Sequence, residues 1–157
     1  MFHFSVKKKN CIISPVSGRF LDITEVSDET FSSKLMGDGI AVIPKDNVIK
    51  APCDGTITML FRTYHALGIT MKDGTELLIH IGIDTVNLNG KGFSAFKKEN
   101  DKIRAGEPLI RFDEGYLDDK NLDMTTMVIL SGANADSWKK CSASDLVQAG
   151  DPIFERI

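Results

Sequence analysis

Short segments of alternating apolar and polar residues, separated by glycine-containing dipeptides, run along most of the chain. This alternation has the period of two that is typical of β-strands, and no long stretch shows the helical period. The dipeptides are Ser17-Gly18, Asp38-Gly39, Asp54-Gly55, Asp73-Gly74 and Asn89-Gly90. Because Asp-Gly and Asn-Gly supply the positive φ angles of tight hairpins, the pattern predicts an all-β fold, an antiparallel β-sandwich or barrel with short helical turns.

The pattern also sets the approximate bounds of each element. The predicted strands are 10–14, 18–22, 39–44, 48–51, 55–60, 66–71, 76–81, 109–113, 127–131 and a last strand that ends at Arg156. Short helical turns are predicted near 28–36, 115–122 and 135–140. Residues 87–93 (NLNGKGF) are rich in glycine but do not open a helix, so they are interpreted as a hairpin and not as a phosphate-binding loop.

Two parts of the sequence are repeated. Residues 101–110 (DKIRAGEPLI) parallel residues 145–154 (DLVQAGDPIF), and residues 14–18 (SPVSG) parallel residues 51–55 (APCDG). Because each unit is a glycine or proline turn that leads into a strand, we expect two similar halves packed face to face. No stretch has the composition of a linker, so residues 1–157 are interpreted as a single domain.

Composition narrows the classes of function. The 157 residues include 19 basic and 22 acidic side chains, for a formal net charge of −3. A mildly acidic chain of this kind does not show the excess of basic residues that binds nucleic acid or an anionic membrane. The basic cluster Lys7–Lys9 is expected to be a solvated terminus. No apolar run approaches a membrane span, and the first apolar residues precede the lysines, the reverse of a secretory signal. We therefore expect a cytoplasmic protein without direct membrane insertion.

The cysteines predict no special chemistry. Cys11, Cys53 and Cys141 are too few and too scattered for a disulfide framework, and they form no Cys-x-x-Cys pair for a structural zinc. We expect reduced, partly buried thiols. Cys53 lies in a turn sequence that nothing links to a histidine, which argues against nucleophilic cysteine catalysis.

The candidate chemistry lies at two histidines. In residues 77–84 (LLIHIGID), strand alternation places Leu78, His80, Gly82 and Asp84 on one face. The other face is apolar and carries Leu77, Ile79, Ile81 and Ile83. Glycine in a strand marks a bulge or a close backbone approach, so Gly82 suggests a place where a phosphoryl group or another protein comes near.

The second histidine lies upstream, in residues 61–67 (FRTYHAL), where alternation groups Phe61, Thr63, His65 and Leu67. Two histidines on adjacent strands could meet. Neutral imidazole is a good nucleophile at neutral pH when its second nitrogen is held by an acceptor. The carbonyl of Gly82 could hold the Nδ1 proton of His80 and leave Nε2 free, and the hydroxyl of Thr63 could hold His65.

Two other interpretations of this pair stay open. Each histidine could be an ordinary structural residue. Alternatively, His65, His80 and Asp84 could ligate the zinc of a hydrolase, although glycine at position 82 removes the His-x-His pair that is usual in comparable zinc peptidases. Even without a dedicated metal site, zinc could bind adventitiously between His65 and His80.

Beyond these patterns, the chain resembles the enzyme IIA component, glucose family, of the phosphoenolpyruvate-dependent sugar phosphotransferase system. The likeness runs through nearly the whole sequence. Its densest segments are 14–18 (SPVSG), 36–41 (MGDGIA), 51–56 (APCDGT), 63–66 (TYHA), 74–86 (GTELLIHIGIDTV) and 88–93 (LNGKGF). The resemblance implies an antiparallel β-sandwich and no required cofactor.

The resemblance also implies roles. By position, His80 accepts a phosphoryl group on Nε2 from a histidine-containing phosphocarrier protein and passes it to a cysteine of the IIB domain of a sugar permease. His65 hydrogen-bonds the phosphoryl group, and Thr63 orients His65. Asp28 and Asp84 match positions whose carboxylates meet a basic side chain of the carrier. An apolar ring surrounds the site and comprises Phe31, Leu35, Phe61, Leu78 and Val86.

The same surface allows a second function. As a regulatory binding module, it would bind permeases or metabolic enzymes according to its phosphorylation. Phe61 and Leu78 lie on the histidine faces by alternation alone, and exposed apolar side chains around a polar centre suit a transient docking surface.

Overall fold

A computed structural model describes residues 10–141 and 145–157, and Lys7–Lys9 lie outside these ranges. The strands are β1 (Cys11–Ile13), β2 (Gly18–Asp22), β3 (Asp38–Pro44), β4 (Val48–Lys50), β5 (Gly55–Leu60), β6 (Ala66–Thr70), β7 (Glu76–Ile81), β8 (Phe93–Ala95), β9 (Lys102–Ile103), β10 (Pro108–Phe112), β11 (Thr126–Ser131), β12 (Trp138–Lys140), β13 (Leu146–Val147) and β14 (Pro152–Arg156). The helices are α1 (Glu29–Ser32) and α2 (Glu114–Asp119), with 3₁₀ helices at Ile23–Glu25, Thr85–Leu88 and Ala133–Ser137.

The strands form three antiparallel sheets. The large sheet has eight strands in the order β13-β2-β3-β11-β7-β6-β5-β9, and two sheets have three strands each, β4-β10-β8 and β1-β14-β12. This architecture confirms the predicted antiparallel all-β sandwich with short helices. Each predicted strand occurs, whereas β8, β9, β12 and β13 were missed. Strands of two or three residues display little alternation, and β1 and β4, which are as short, were predicted only as parts of longer segments. The predicted helical turn at 135–140 is wrong beyond Ser137, where β12 begins.

The sequence repeat corresponds to a structural repeat. Ala51 exchanges two backbone hydrogen bonds, of 2.8 and 2.7 Å, with the turn at 106–107, and Ser14 exchanges two, of 3.0 and 2.7 Å, with the turn at 150–151. The two similar halves therefore exist, but in the large sheet they lie side by side. One half contributes β13, β2, β3 and β11, and the other contributes β7, β6, β5 and β9.

Fewer of the glycine dipeptides form hairpin turns than the sequence predicts. Only Asp73-Gly74 joins two paired neighbours, β6 and β7, in a hairpin, and Gly74 has a φ of +91°. Gly39 instead lies within β3 with no positive φ, and a Cβ there would stand 2.1 Å from the carbonyl oxygen of Val128. Close packing of strands explains this glycine. Residues 87–93 are not a hairpin, because β7 and β8 belong to different sheets.

The large sheet buries a different apolar cluster on each face. Side chains alternate along β11. Val128 and Leu130 lie in the main core, and Met127 and Ile129 lie on the opposite face. There a second cluster forms beneath residues 23–37, which we name the cover segment. The buried members of this cluster are Ile23, Val26, Phe31, Ala41, Met127 and Ile129, with Leu21, Leu78 and Ile83 partly buried against them.

Ile83 departs from its prediction. Alternation placed it in the main core with Leu77, but β7 ends at Ile81 and Ile83 packs against the second cluster. The cause is Gly82, whose φ of +82° turns the chain out of the strand.

The three cysteines behave as expected. Cys11 and Cys53 are buried, Cys141 is half-buried, and none of the three takes part in a disulfide. Burial raises the pKa of Cys53 to about 12, so this thiol is a small apolar group of the main core and not a nucleophile. Within the described ranges, no helix is long and apolar enough to cross a membrane.

One lysine ties both ends of the cover segment to the sheets. The ammonium of Lys140 on β12 lies 2.7 Å from Oδ1 of Asp22 and 2.5 Å from Oδ1 of Asp38. Asp22 immediately precedes the cover segment and Asp38 immediately follows it. Partial burial opposes ionisation of Asp22, but hydrogen bonds from Lys140 and Thr24 hold its pKa at about 2.

We predict that Lys140→Met loosens the cover segment. Removing the shared cation leaves Asp22 without its ion pair and Asp38 with only its 3.6 Å pair to Lys34, and it should lower the free energy of unfolding by about 1 kcal/mol, the upper range for partly exposed ion pairs. Hydrogen exchange followed by mass spectrometry should show faster exchange in residues 23–37 and unchanged exchange in β7 and β11. The exposed neighbour Lys139→Met is the control, and equal behaviour of the two variants would contradict the prediction.

Candidate active site

His80 lies near the end of β7, on the face that carries the second cluster. In the register of the sheet it is opposite Met127 on one side and Ala66 on the other. Its ring is half-buried and packs on the ring of Phe31, with 4.7 Å between the centroids. The cover segment therefore forms one wall of the histidine site.

A backbone carbonyl sets the tautomer of His80. Nδ1 of the ring lies 2.9 Å from the carbonyl oxygen of Gly82. A carbonyl oxygen only accepts hydrogen bonds, so Nδ1 carries the proton and, in the neutral ring, Nε2 keeps its lone pair. Glycine is required here, because a Cβ at position 82 would stand 2.4 Å from Cγ2 of Thr85.

His65 lies beside His80, but not for the reason that alternation suggested. Since His80 pairs with Ala66, strict alternation would place His65 on the opposite face of the sheet. His65 instead precedes β6, directly after Tyr64, whose φ of +56° bends the backbone. The two imidazole centroids are 4.9 Å apart and the rings are nearly perpendicular, at 82°.

Neighbouring side chains hold His65 in place. Oγ1 of Thr63 lies 2.5 Å from Nδ1 of His65, and the ring of Phe61 meets the imidazole edge to face at 5.4 Å. Only 4 % of His65 is exposed. The contact to Thr63 that the sequence suggested is therefore present, and it restricts the orientation of the ring.

Both imidazoles are neutral at neutral pH. Burial lowers the pKa of His65 below its ordinary value. For His80, burial first and the neighbouring His65 second lower the pKa to about 4. The hydrogen bond to Gly82 and the carboxylates of Asp28 and Asp84 act in the opposite direction without offsetting the effect of burial. Nε2 of His80 is thus an unprotonated nitrogen over most of the pH range.

The two carboxylates that act on His80 come from different segments of the chain. Asp28 is half-buried at the start of α1, where its Oδ1 accepts a hydrogen bond of 2.9 Å from the amide of Thr30. Asp84 is exposed and has a φ of +61°, just beyond the turn at Gly82. Both are near enough to His80 to raise its pKa. The site therefore carries negative charge on its rim.

The predicted apolar ring divides into exposed and buried members. Leu35, Val86 and Phe61 are exposed, at 81 %, 47 % and 37 % of their surface. Phe31 is only 5 % exposed and belongs to the second cluster, so it lines the site from the buried side, and its contact with a partner stays a prediction. Leu78 is partly buried against the same cluster.

Sequence reasoning missed two features of this region. Met36, 44 % exposed, adds an exposed apolar side chain to the cover segment, next to Leu35 in the sequence. The turn at 123–125 bonds to the backbone at Gly82 and Ile83. The only sequence signal for this turn is the Asp-x-Thr pattern, which is typical of a side chain that caps its own backbone.

The zinc-hydrolase alternative has no support in the described ranges. They contain no group of three or more His, Cys, Asp or Glu side chains that could hold a metal ion. His65 and His80 alone provide half of a tetrahedral zinc site, and Asp84 does not complete it.

By its fold, the protein is a small antiparallel β-sandwich. Its site is a pair of neutral imidazoles at the edge of an exposed apolar surface. Comparison with known proteins identifies the family. The model of the family named phosphoenolpyruvate-dependent sugar phosphotransferase system, EIIA 1, matches residues 10–135. The chain belongs to this family, in agreement with the resemblance seen in the sequence.

Individual relatives agree with this assignment. The glucose-specific EIIA component of Buchnera aphidicola is 40 % identical over 152 residues, covering 96 % of this chain and 93 % of the relative. That of Borreliella burgdorferi is 43 % identical over 125 residues, covering 80 % and 65 %. The glucoside-specific EIICBA component of Staphylococcus carnosus is 45 % identical over 124 residues, covering 79 % of this chain, but the match spans only 18 % of that longer protein.

A solved structure has the same fold. The glucose permease IIA from Mycoplasma capricolum superposes with a TM-score of 0.85 at 33 % identity, covering 92 % of this chain and 93 % of the other.

We predict a low pKa for His80 in solution. NMR of the imidazole CH groups should show His80 titrating near pH 4, below the ordinary value of 6.5. Because an unfolded chain then binds more protons than the folded one between these values, the free energy of unfolding should fall as the pH drops from 6.5 toward 4. His65→Gln should raise the pKa of His80, since it removes the second largest cause of the shift. Protonation of His80 close to pH 6.5 would contradict this assignment.

Proposed function

We propose that residues 1–157 form a single phosphocarrier domain in which His80 receives a phosphoryl group from a histidine-containing phosphocarrier protein and passes it to a cysteine of the IIB domain of a sugar permease. The observation that supports this most directly is the Nδ1 hydrogen bond from His80 to Gly82, which leaves Nε2 unprotonated beside a second imidazole. Family membership supports the substrate class. We propose a cytoplasmic location for this reaction.

The transfer needs no proton movement. The lone pair on Nε2 of His80 forms the new P–N bond while the P–N bond of the donor histidine breaks, and the donor imidazole leaves with its own lone pair restored. The ring of His80 then carries positive charge and keeps its Nδ1 proton. The carbonyl of Gly82 and the carboxylates of Asp28 and Asp84 stabilise this charge, because each presents negative charge to the ring.

His65 is the proposed stabiliser of the phosphoryl group. When the hydroxyl of Thr63 donates its hydrogen bond to Nδ1 of His65, the proton of the neutral imidazole lies on Nε2. This N–H can then donate to a phosphoryl oxygen. Phosphoryl transfer depends mainly on positioning and on charge stabilisation, so one well-held donor contributes substantially.

The proposed docking surface consists of exposed apolar side chains of the cover segment, of the segment that leads to His65 and of the segment that follows Gly82. It comprises Leu35, Met36, Phe61 and Val86. Docking would exclude water from the phosphohistidine, which protects the P–N bond and strengthens the fixed dipoles around it. On the rim, Asp28 and Asp84 would meet basic side chains of the carrier, which favours rapid, transient association.

We predict different phenotypes for the two histidines. With phosphoenolpyruvate, the general phosphotransferase and the carrier, His80→Gln should not be labelled, because the acceptor nitrogen is gone. His65→Gln should be labelled but should pass the group to the IIB domain more slowly, by at least about tenfold, as expected for loss of a transition-state donor. Intact mass measures labelling, and phosphorylation of the IIB cysteine measures transfer.

The third histidine of the sequence supplies the control, since His3→Gln should behave as the unmodified chain does. A chelator should leave labelling unchanged. Normal labelling of His80→Gln would disprove the proposed acceptor, and loss of labelling on chelation would favour metal chemistry.

We also predict that the docking surface contributes to affinity for the carrier. Leu35→Ser or Val86→Ser should raise the KM for the phosphorylated carrier by about tenfold, because each removes an apolar side chain worth roughly 1.5 kcal/mol when buried in a complex. The melting temperature should not change, since both side chains are exposed. Leu146→Ser, at the far edge of the large sheet and 63 % exposed, is the matched control. Equal KM values in all three variants would contradict the proposed surface.

A further inference from the structure

One peptide group connects His80 to a distant turn. The carbonyl of Gly82 accepts from Nδ1 of His80 at 2.9 Å, and the amide of Ile83, in the same peptide group, donates to the carbonyl of Asp123 at 2.8 Å. In a trans peptide the C=O and N–H bonds point in opposite directions, so the two hydrogen bonds hold the group from both sides. The direction of the carbonyl that faces His80 is therefore set by the position of Asp123.

The preceding peptide group is held by the same turn. The amide of Gly82 donates to the carbonyl of Thr125 at 3.0 Å. The approach is close, because a Cβ at Gly82 would stand 3.2 Å from the carbonyl oxygen of Asp123. Immediately beyond, Thr126 begins β11 and pairs with Ile81. Both peptide groups that flank Gly82 are thus fixed by residues 123–125.

The carboxylate of Asp123 holds this turn together. Its Oδ1 accepts from the amide of Thr125 at 2.9 Å and from the hydroxyl of Thr125 at 2.6 Å. Thr125 is only 4 % exposed, whereas Asp123 is exposed. This arrangement fixes the relative direction of the two carbonyls that bond to Gly82 and Ile83.

We propose that Asp123 is a positioning residue for the phosphoryl-accepting histidine. Its carboxylate orders the 123–125 turn, the carbonyls of the turn orient the Gly82–Ile83 peptide, and that peptide keeps the proton of His80 on Nδ1. Chained hydrogen bonds polarise one another, so the amide of Ile83, by donating to Asp123, makes the Gly82 carbonyl a better acceptor. Asp123 contacts neither the ring nor the phosphoryl group and acts only through this chain.

The part of the proposal that concerns rate rests on the proposed phosphocarrier function. The part that concerns the tautomer does not. The test therefore compares Asp123→Ala with the conservative Asp123→Asn, whose amide oxygen can still accept from Thr125. Asp119→Ala, an exposed aspartate on α2, removes the same charge without touching the turn.

The first measurement is ¹⁵N NMR of the His80 ring nitrogens at neutral pH. The unmodified chain, Asp123→Asn and Asp119→Ala should show one tautomer with the proton on Nδ1. Asp123→Ala should show a mixture of both tautomers. The second measurement is labelling by the phosphorylated carrier, in which Asp123→Ala should lower kcat about fivefold, as expected for one lost hydrogen bond, with KM unchanged.

Each outcome decides a separate question. A single Nδ1 tautomer and unchanged kcat in folded Asp123→Ala would overturn the proposal, even if the variant melted earlier, since Asp123 would then be a structural cap. Should Asp123→Ala fail to fold, Thr125→Val removes only the 2.6 Å side-chain bond and should shift the tautomer in the same direction. If the unmodified chain is not labelled at all, the phosphocarrier proposal fails, while the NMR comparison still tests the role of Asp123.

Discussion

The hydrogen bond between the ring of His80 and the carbonyl of Gly82 is the interaction on which the chemistry of this protein depends. A neutral imidazole has one proton for two nitrogens, and the nitrogen that lacks it is the nucleophile. At 2.9 Å the carbonyl assigns the proton to Nδ1, and partial burial keeps a second proton off the ring. Gly82 supplies the first condition, because it follows the end of β7, turns the chain and leaves its own carbonyl facing back to the histidine. The cover segment contributes to the second, because Phe31 packs on the ring.

This arrangement explains why the site lies at the edge of the second cluster and not in the main core. Within the main core the ring of His80 would have no access to a partner protein. On the open face of the sheet it would be exposed, and its pKa would stay near the ordinary value. The cover segment gives an intermediate environment, since Phe31 packs on one side of the ring while Leu35 and Met36 of the same segment remain exposed. Reactivity and access are both obtained by partial burial.

Much of this could be predicted from the sequence, wherever the determining interaction is local. Alternation located β7 and the faces of Leu77 and Leu78, and the spacing of His80 to Gly82 and of Thr63 to His65 predicted contacts between residues two apart. Interactions between distant segments escaped prediction. Gly39 lacks a side chain because Val128, far along the chain, passes close to it, and Phe31 is buried because Met127 and Ile129 face it. The contacts of the turn at Asp123 depend on register and could not be read from periodicity.

The structural repeat carries a further consequence, because the two halves place different connections at the same point of the fold. The link from β2 to β3 is the long cover segment, whereas the corresponding link from β5 to β6 is the five-residue stretch that ends at His65. The two equivalent links therefore differ: one carries the exposed side chains of Leu35 and Met36, and the other holds His65 against His80. The exposed positions of the cover segment are free to change in composition while its buried residues Ile23, Val26 and Phe31 keep their packing and β7 stays intact, so the exposed surface and the histidine chemistry are separable properties of this architecture.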